Sequence, residues 1–434
     1  MRYYVRLARY TLEKDILLEF SEDFGLIIPA NLVKYYNKSL GSYMKKHQKS
    51  YFIDPLTYVF THPANMLKKQ SGKLERNSKG KYKLKKSYEK LVEDIDPYLI
   101  EQFIDKIPIQ PNYFLEPDNV DRFVKKNIQI QKESLSEASE KISRYEQLIG
   151  EESEENDNRL EFFVAPYFYA DRITDPWYAI NIELINLTRE YLGESLFYGV
   201  LCINKNILYQ RDIAEVIAED YDNCDGILLF LSDFHSERES LATLSRFKEF
   251  VYSLSQETGK PIINLYGAGL SPFLDKYGLS GTASGLCILE SRNANEEYGF
   301  SIARIKHYIP SSHEKITEDN FRTYLRSFDP IEECKCSFCS YISQIRERYI
   351  NNQPQYLDHI ANLFTSERGF LMKGAMTHFL ENRLKEVEKI NTLTSPKLLE
   401  ILHDETALAK RYELSLDTNN FSETILNLLE DWTK

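Results

Sequence analysis

Three of the chain's six cysteines fall within six residues, Cys334-Lys-Cys336-Ser-Phe-Cys339. A C-x-C-x2-C spacing places three thiolates on one tight turn, and such thiolates are ligands for a tetrahedral Zn²⁺, which takes four nitrogen or sulfur donors. The fourth donor must come from elsewhere. His359 is the nearest histidine that follows, across the helical stretch Ser340–Ile350 and the break Asn351-Asn-Gln-Pro354, so a chain that loops back is expected to deliver it. Four protein ligands leave no open coordination position, and the ion is therefore expected to be structural, tying C-terminal helices to the rest of the fold. The other cysteines, Cys202, Cys224 and Cys287, fall in or near apolar segments and read as core.

A second chemical signal is a run of charge. The chain carries a net charge of −12, which argues against nucleic-acid binding by the surface as a whole, yet residues 66–90 hold ten Lys or Arg against Glu75 and Glu89. Within that tract Lys68, Lys69, Lys73, Arg76, Lys81, Lys85 and Lys86 alternate with Tyr82, Leu84 and Tyr88. Such a pattern could straddle a phosphate backbone, with aromatic rings offering stacking; equally it could be a solvated loop. The stretch after Gln147, rich in Glu, Asp and Asn, has the opposite sign and reads as a solvated linker.

These groups need a scaffold. Eight short β-rich runs recur, at Tyr3–Ala8, Gly25–Pro29, Tyr51–Asp54, Leu160–Ala165, Leu196–Ile203, Gly226–Ser232, Pro261–Tyr266 and Gly285–Glu290, with helical stretches between most of them. Several are continuously apolar, as parallel strands covered on both faces should be. The pattern predicts an α/β fold, a (β/α)8 TIM barrel over residues 1–316. Residues 66–158 form a charged helical insertion, with helices expected around Ser87–Phe103 and Val120–Gln147. A zinc-binding helical appendage follows over 317–390, then C-terminal helices over 391–434. The apolar faces of Gly374–Ile390 and Pro396–Leu402 leave room for a homodimer. No apolar run approaches a membrane span and no leader is visible, so a cytoplasmic protein without a membrane partner is expected, in keeping with metal-bound thiolates.

A C-x-C-x2-C with a histidine after it, placed beyond the last strand of such a barrel, resembles the tRNA-guanine transglycosylases; His359-Ile-Ala-Asn-Leu-Phe364 is similar to the segment that carries their histidine ligand. Leu265-Tyr-Gly-Ala-Gly-Leu270 resembles the Leu-Phe-Gly-Ala-Gly stretch of the archaeal branch. The likeness covers roughly Leu160 to Ile390, together with Tyr51–Phe60. It implies a pentosyltransferase reaction in which a carboxylate attacks C1′ of a guanosine, guanine leaves, and a 7-deazaguanine takes its place through the same covalent glycosyl-enzyme. On this resemblance Glu290, at the end of the last run, stands where the family has its nucleophilic aspartate; the other reading makes it a rim partner of Arg292. Asp54-Pro-Leu-Thr-Tyr58 is similar to the family's Asp-Ser-Gly-Gly-Phe, making Asp54 the proton-handling acid and Tyr58 a stacking face, against a reading as turn and core. Gly267 and Gly269 match its Gly-Ala-Gly, and Asp175, Asp233 and His235 are polar groups at the same rim.

The base-reading positions differ from the family: Cys202-Ile203 stands for Gln-Gly, and Leu228-Leu-Phe-Leu231 for Gly-Gly-Leu. Two functions from different classes follow. One is exchange of guanine for a deazaguanine in tRNA or DNA. The alternative is a catalytically inactive, zinc-stabilised barrel that binds nucleic acid or protein, in phage defence for example. A glycoside hydrolase would use the same carboxylates but gives no reason for the zinc appendage.

Overall fold

Apolar runs that are covered on both faces pair edge to edge, and here eight of them do so in parallel. The computed structural model describes the chain outside residues 9, 18, 48, 71–72, 134–159, 268, 287–290, 298–304, 327–333, 411–420 and 431–434. The strands are β1 (Arg2–Arg6), β2 (Gly25–Pro29), β3 (Tyr51–Asp54), β4 (Phe163–Val164), β5 (Phe197–Asn204), β6 (Gly226–Ser232), β7 (Ile262–Asn264) and β8 (Leu279–Ser284). Each pairs with its neighbour in sequence, and β1 pairs with β8 in the register Arg2↔Gly281 to Val5↔Ser284. The β3–β4 seam is held by the bridge Tyr51↔Leu160 and by Glu161 N donating to Tyr51 O at 2.9 Å. The result is the nearly closed (β/α)8 barrel that the pattern predicts.

One strand is displaced from its expected place. β8 is Leu279–Ser284, not Gly285–Glu290. Its residues are small and polar because the space is small: a Cβ on Gly281 would lie 3.1 Å from both Ile263 and Tyr4. Gly, Thr, Ala and Ser in a row carry little strand signal. Gly285 and Leu286 continue beyond the strand, while Cys287 and Glu290 lie outside the described residues.

The barrel interior is layered. Near the amino ends of the strands Tyr4 meets Phe52 edge-on at 5.3 Å, Phe52 stacks on Phe162 at 4.6 Å, and Phe162 on Tyr198 at 3.9 Å. Gly25 and Gly226 make room for this floor, since a Cβ on either would lie 2.4 Å from the Tyr4 or Tyr198 ring. Nearer the carboxyl ends the layer turns polar, with Arg6 on β1, Asp54 on β3 and Cys202 on β5.

Helices α1 (Tyr10–Leu17) and α2 (Ala30–His47) follow β1 and β2. After β3 come two short 3-10 turns, Thr57–Thr61 and Pro63–Asn65, then a basic hairpin, Lys69–Gln70 against Lys73–Leu74, and α3 (Lys86–Ile95), α4 (Tyr98–Ile104) and α5 (Pro117–Glu133). The expected helix over Ser87–Phe103 is broken at Asp96-Pro97, where the Asp96 carboxylate accepts from Tyr98 N at 3.0 Å. Gln131 of α5 exchanges two 2.8 Å hydrogen bonds with the Val164 backbone, standing in for a strand neighbour of the short β4. α6 (Pro176–Leu192), α7 (Ile213–Asp220) and α8 (Leu241–Thr258) follow β4, β5 and β6.

Beyond β8 come the hairpin β9 (His307–Ile309) and β10 (Glu314–Ile316), then α9 (Glu318–Arg326), α10 (Ser337–Arg348), α11 (Gln353–Thr365), α12 (Arg368–Thr392), α13 (Ser395–Lys410) and α14 (Phe421–Glu430). α12 joins two cores. Leu371 and Ala375 belong to an apolar cluster with Phe321, Phe338, Tyr356 and Phe364, while Phe379, Leu380, Val387 and Ile390 pack into the barrel's own. At about 1.5–3 kcal/mol for each fully buried large apolar side chain, this helix anchors the appendage to the barrel. Its apolar face and Leu398 and Leu402 of α13 are thus buried against the chain itself. No helix among the described residues is long and apolar enough to cross a membrane.

Candidate metal centre and barrel mouth

The cysteine turn is built on the start of α10. Cys336 is the residue preceding the helix, and its Sγ accepts from Cys339 N at 3.2 Å. That cap puts Cys336 and Cys339 on one side of the first turn, with Cys334 beside them. The fourth group is His378 of α12, not His359. Its Nδ1 lies 3.5, 3.2 and 3.3 Å from the sulfurs of Cys334, Cys336 and Cys339, and all four donor atoms fall within 4.8 Å of one another. Tetrahedral bonds of about 2.3 Å to sulfur and 2.0–2.1 Å to nitrogen separate S from N by about 3.5 Å, so the group can hold a metal ion.

Outer contacts orient the histidine. His378 Nε2 lies 2.8 Å from the Tyr308 carbonyl on β9; donating its proton there leaves Nδ1 as the ligand atom. His307 stacks on the same imidazole at 4.3 Å. One turn along α12, Asn382 Nδ2 donates to Cys334 Sγ at 3.4 Å. A metal ion takes all three sulfurs as thiolates, and their crowding with His378 is what such an ion would offset.

His359 is elsewhere for a topological reason. α10 and α11 turn back against the second core, where its ring lies 5.8 Å from Tyr349, and the 25-residue α12 then crosses the cysteine turn. The one sequence signal for His378 is its place on the apolar face of a long helix, near Ala375 and Phe379, where it is buried.

At the carboxyl ends of the strands Asp54 and Arg6 form an ion pair at 2.5 Å, both about 1% exposed. The other Asp54 oxygen accepts from Tyr167 OH and from Leu56 N, each at 3.0 Å. Leu56 has φ of 55°, a left-handed turn that costs a leucine about 1–2 kcal/mol and here points a backbone donor at the carboxylate. Thr57 Oγ1 donates to Tyr167 O at 2.6 Å and accepts from Tyr167 N at 2.8 Å, locking the β3 and β4 loops together. Burial and the Asp54 charge push the Tyr167 hydroxyl well above its usual range, so it remains a donor. Burial likewise pushes the Cys202 thiol up, away from nucleophilic use.

Arg6, on which sequence reasoning placed nothing, proves to be the centre of this layer. Its guanidinium lies 4.7 Å over the Tyr266 ring, and its Nε and Nη2 and the Tyr266 hydroxyl are buried without hydrogen-bond partners among the described residues. Tyr58 is packed rather than open: Tyr167 stacks on it at 5.6 Å, Phe230 meets it edge-on at 5.4 Å, and Arg292 lies 5.4 Å over its ring. Phe230, fully buried, also touches Tyr266 at 4.5 Å.

The remaining rim residues divide. Asp175 caps α6, accepting from Trp177 N at 2.9 Å and Asp171 N at 3.1 Å, and borders a 270 Å³ groove with His62, Tyr169, Trp177 and Asn295. His235 Nδ1 is 2.6 Å from Ser291 Oγ; burial and Arg238 keep its imidazole below the ordinary pKa. Asp233, at φ 59°, donates its N–H to Arg292 O at 3.1 Å. Gly267 and Gly269 shape the loop after β7: a Cβ would lie 2.4 Å from Ser271 Oγ at the first and 2.9 Å from Phe421 at the second. Glu290 lies outside the described residues.

No family model matches this chain, and no curated protein matches it.

Proposed function

We propose that the protein is a nucleic-acid base-exchange enzyme of the transglycosylase type, with a structural zinc ion in the Cys334, Cys336, Cys339 and His378 cluster. The observation that carries the reading is the charged layer of Arg6, Asp54 and Tyr167 at the carboxyl ends of the strands, where barrels of this kind place their chemistry. A buried ion pair is weak support for stability, and each buried polar atom left unpaired costs about 1–3 kcal/mol. An arrangement with three such atoms on Arg6 and Tyr266 is more readily explained by a ligand that uses them. Zinc suits three thiolates and one imidazole, and a reducing cytoplasm keeps those thiolates free to bind it.

In the reaction a carboxylate, Glu290 on the resemblance, displaces guanine from C1′. The leaving base gains a proton, and the incoming deazaguanine loses one before attacking the same carbon. Asp54 handles that proton, with one of its oxygens held by Arg6. For this to happen the mouth must open, because Asp54 and Tyr58 are each about 1% exposed in the present arrangement.

That cover favours a second reading, a barrel that binds nucleic acid without catalysis, in which Phe230 and Tyr58 are permanent packing. Incubation with labelled guanine or a 7-deazaguanine and either tRNA or DNA separates the two. Incorporation that is abolished in Asp54→Asn supports exchange, and binding without incorporation supports the second reading.

A further inference from the structure

Several cations that the sequence gathers in the basic tract have partners in the fold. Glu75 pairs with Lys68 at 2.7 Å and Lys83 at 2.6 Å, Lys81 reaches Glu101 at 3.2 Å and Asp105 at 3.0 Å, and Lys85 Nζ donates to Asn65 O at 2.7 Å. A buried cation without a carboxylate partner among the described residues lies in the appendage instead.

That cation is Arg346, in the last turn of α10 and 9% exposed. Its Nε donates to Tyr356 OH at 3.2 Å, and the same hydroxyl donates to Leu325 O. The guanidinium lies 5.8 Å from the centre of the Tyr324 ring, a contact that offsets only part of a buried charge. Its Nη2 is buried with no hydrogen-bond partner among the described residues. Glu347, next in sequence, is exposed and forms no ion pair with it. Buried charges are ordinarily paired, because a guanidinium taken out of water without a counter-charge is costly.

A second polar group beside it is also unused. His307 of β9 is 1% exposed and stacks at 4.3 Å on both Phe321 and His378, yet its Nδ1 has no hydrogen-bond partner among the described residues. Arg346 and His307 line one cavity of 400 Å³ between β9, α9 and α10. Tyr324 and Phe338 form aromatic walls of it, Lys335 lies at its edge, and Cys334 and Cys339 border it from the metal centre. A volume of this size, with apolar walls and a few polar groups, is typical of small-molecule sites.

We propose that this cavity binds a small organic oxyanion with a planar body. Its carboxylate or phosphate accepts from Arg346 Nη2, His307 Nδ1 supplies a second hydrogen bond, and the planar body lies against Tyr324 and Phe338. The oxyanion is required by the uncompensated guanidinium, and the planar body by the aromatic walls. The metal takes no part as a ligand, since four protein donors fill its coordination. The site is built from appendage elements and does not depend on the base-exchange reading.

The test is calorimetric titration of the full-length, metal-loaded protein with adenosine 5′-monophosphate and with benzoate, which separate a phosphate from a carboxylate ligand. At least one should bind saturably, and inorganic phosphate, which has no planar body, should bind more weakly. Affinity for the probe that binds should fall by roughly 10- to 100-fold in Arg346→Met, where a hydrogen bond to a charged group is lost. It should fall by roughly 2- to 10-fold in His307→Phe, which keeps a ring for the stack but removes Nδ1. If Arg346→Met does not fold, Arg346→Lys, which keeps the charge but lacks Nη2, carries the test together with His307→Phe. Asp54→Asn should bind as the parent does. Because Cys334 and Cys339 border the cavity, the bound probe should also slow release of the metal to a chelator. No saturable binding of either probe would overturn the site, as would affinities unchanged in the folded Arg346 and His307 variants. Weakening in Asp54→Asn would place the probe at the barrel mouth, and overturn it equally.

Discussion

His378 Nδ1 stands 3.2 Å from Cys336 Sγ although 42 positions separate the two residues. Because α12 is shared between the barrel core and the appendage, a metal held between these residues fastens one to the other. Metal analysis should find the ion absent from Cys336→Ser and His378→Ala, with lowered melting temperatures, and retained in His359→Ala. An ion retained by His378→Ala would contradict the ligand set.

The Arg6–Asp54 pair makes a prediction about stability that is separate from activity. Removing one partner, as in Arg6→Met or Asp54→Leu, strands the other charge in the barrel and should cost about 3–5 kcal/mol in denaturant unfolding. The double variant should recover part of that loss. A double variant with the two single losses simply added would indicate that the residues are not coupled.

A pH effect follows from the cluster between β9–β10 and α12–α13. Burial opposes protonation of His313, but Glu386 and Glu405 outweigh it and raise its pKa to about 9. For Glu386 burial is outweighed by Arg383 and His313, which lower it to about 2. The raised histidine stabilises the fold fully below its unfolded value near 6.5, and that contribution is lost as pH rises through about 9. The depressed carboxylate stabilises above its unfolded value near 4.5, and loses that as pH falls through about 2. Melting temperature should therefore decline from about pH 6.5 to 9. His313→Asn, which tolerates the left-handed backbone at φ 55°, should flatten the decline. An unchanged profile in that variant would assign it to other groups.

Gly374 allows α10 to approach α12, since a Cβ there would lie 2.1 Å from the Phe338 ring. Gly374→Ala should push the two helices apart and destabilise the protein by about 1–3 kcal/mol. Faster release of the ion to a chelator is the accompanying readout, because the two helices carry the cysteines and the histidine. Unchanged release would place the close approach outside the metal's support.

The legible parts of this chain were those written in local pattern. Continuous apolar runs marked β2, β3 and β6 at the bounds they have in the structure, and the C-x-C-x2-C turn marked three ligands. β8 was misplaced because its layer demands small residues, which look like loop. His378 was missed because an approach through a long helix leaves no short spacing to read. Arg6 was invisible for a similar reason: Asp54 lies 48 positions from Arg6, Tyr167 lies 113 positions from Asp54, and only barrel closure brings the three together. The basic tract was legible as charge but not as pairing, since Glu101 and Asp105 fold back onto Lys81 from the following helix.

The most direct test of the proposed function follows a labelled 7-deazaguanine base into polynucleotide. With folded, metal-loaded protein and tRNA or DNA, label should enter one of the two, and guanine should be released in equal amount. No label in either, from protein that still binds the strand, would contradict base exchange and leave a binding barrel.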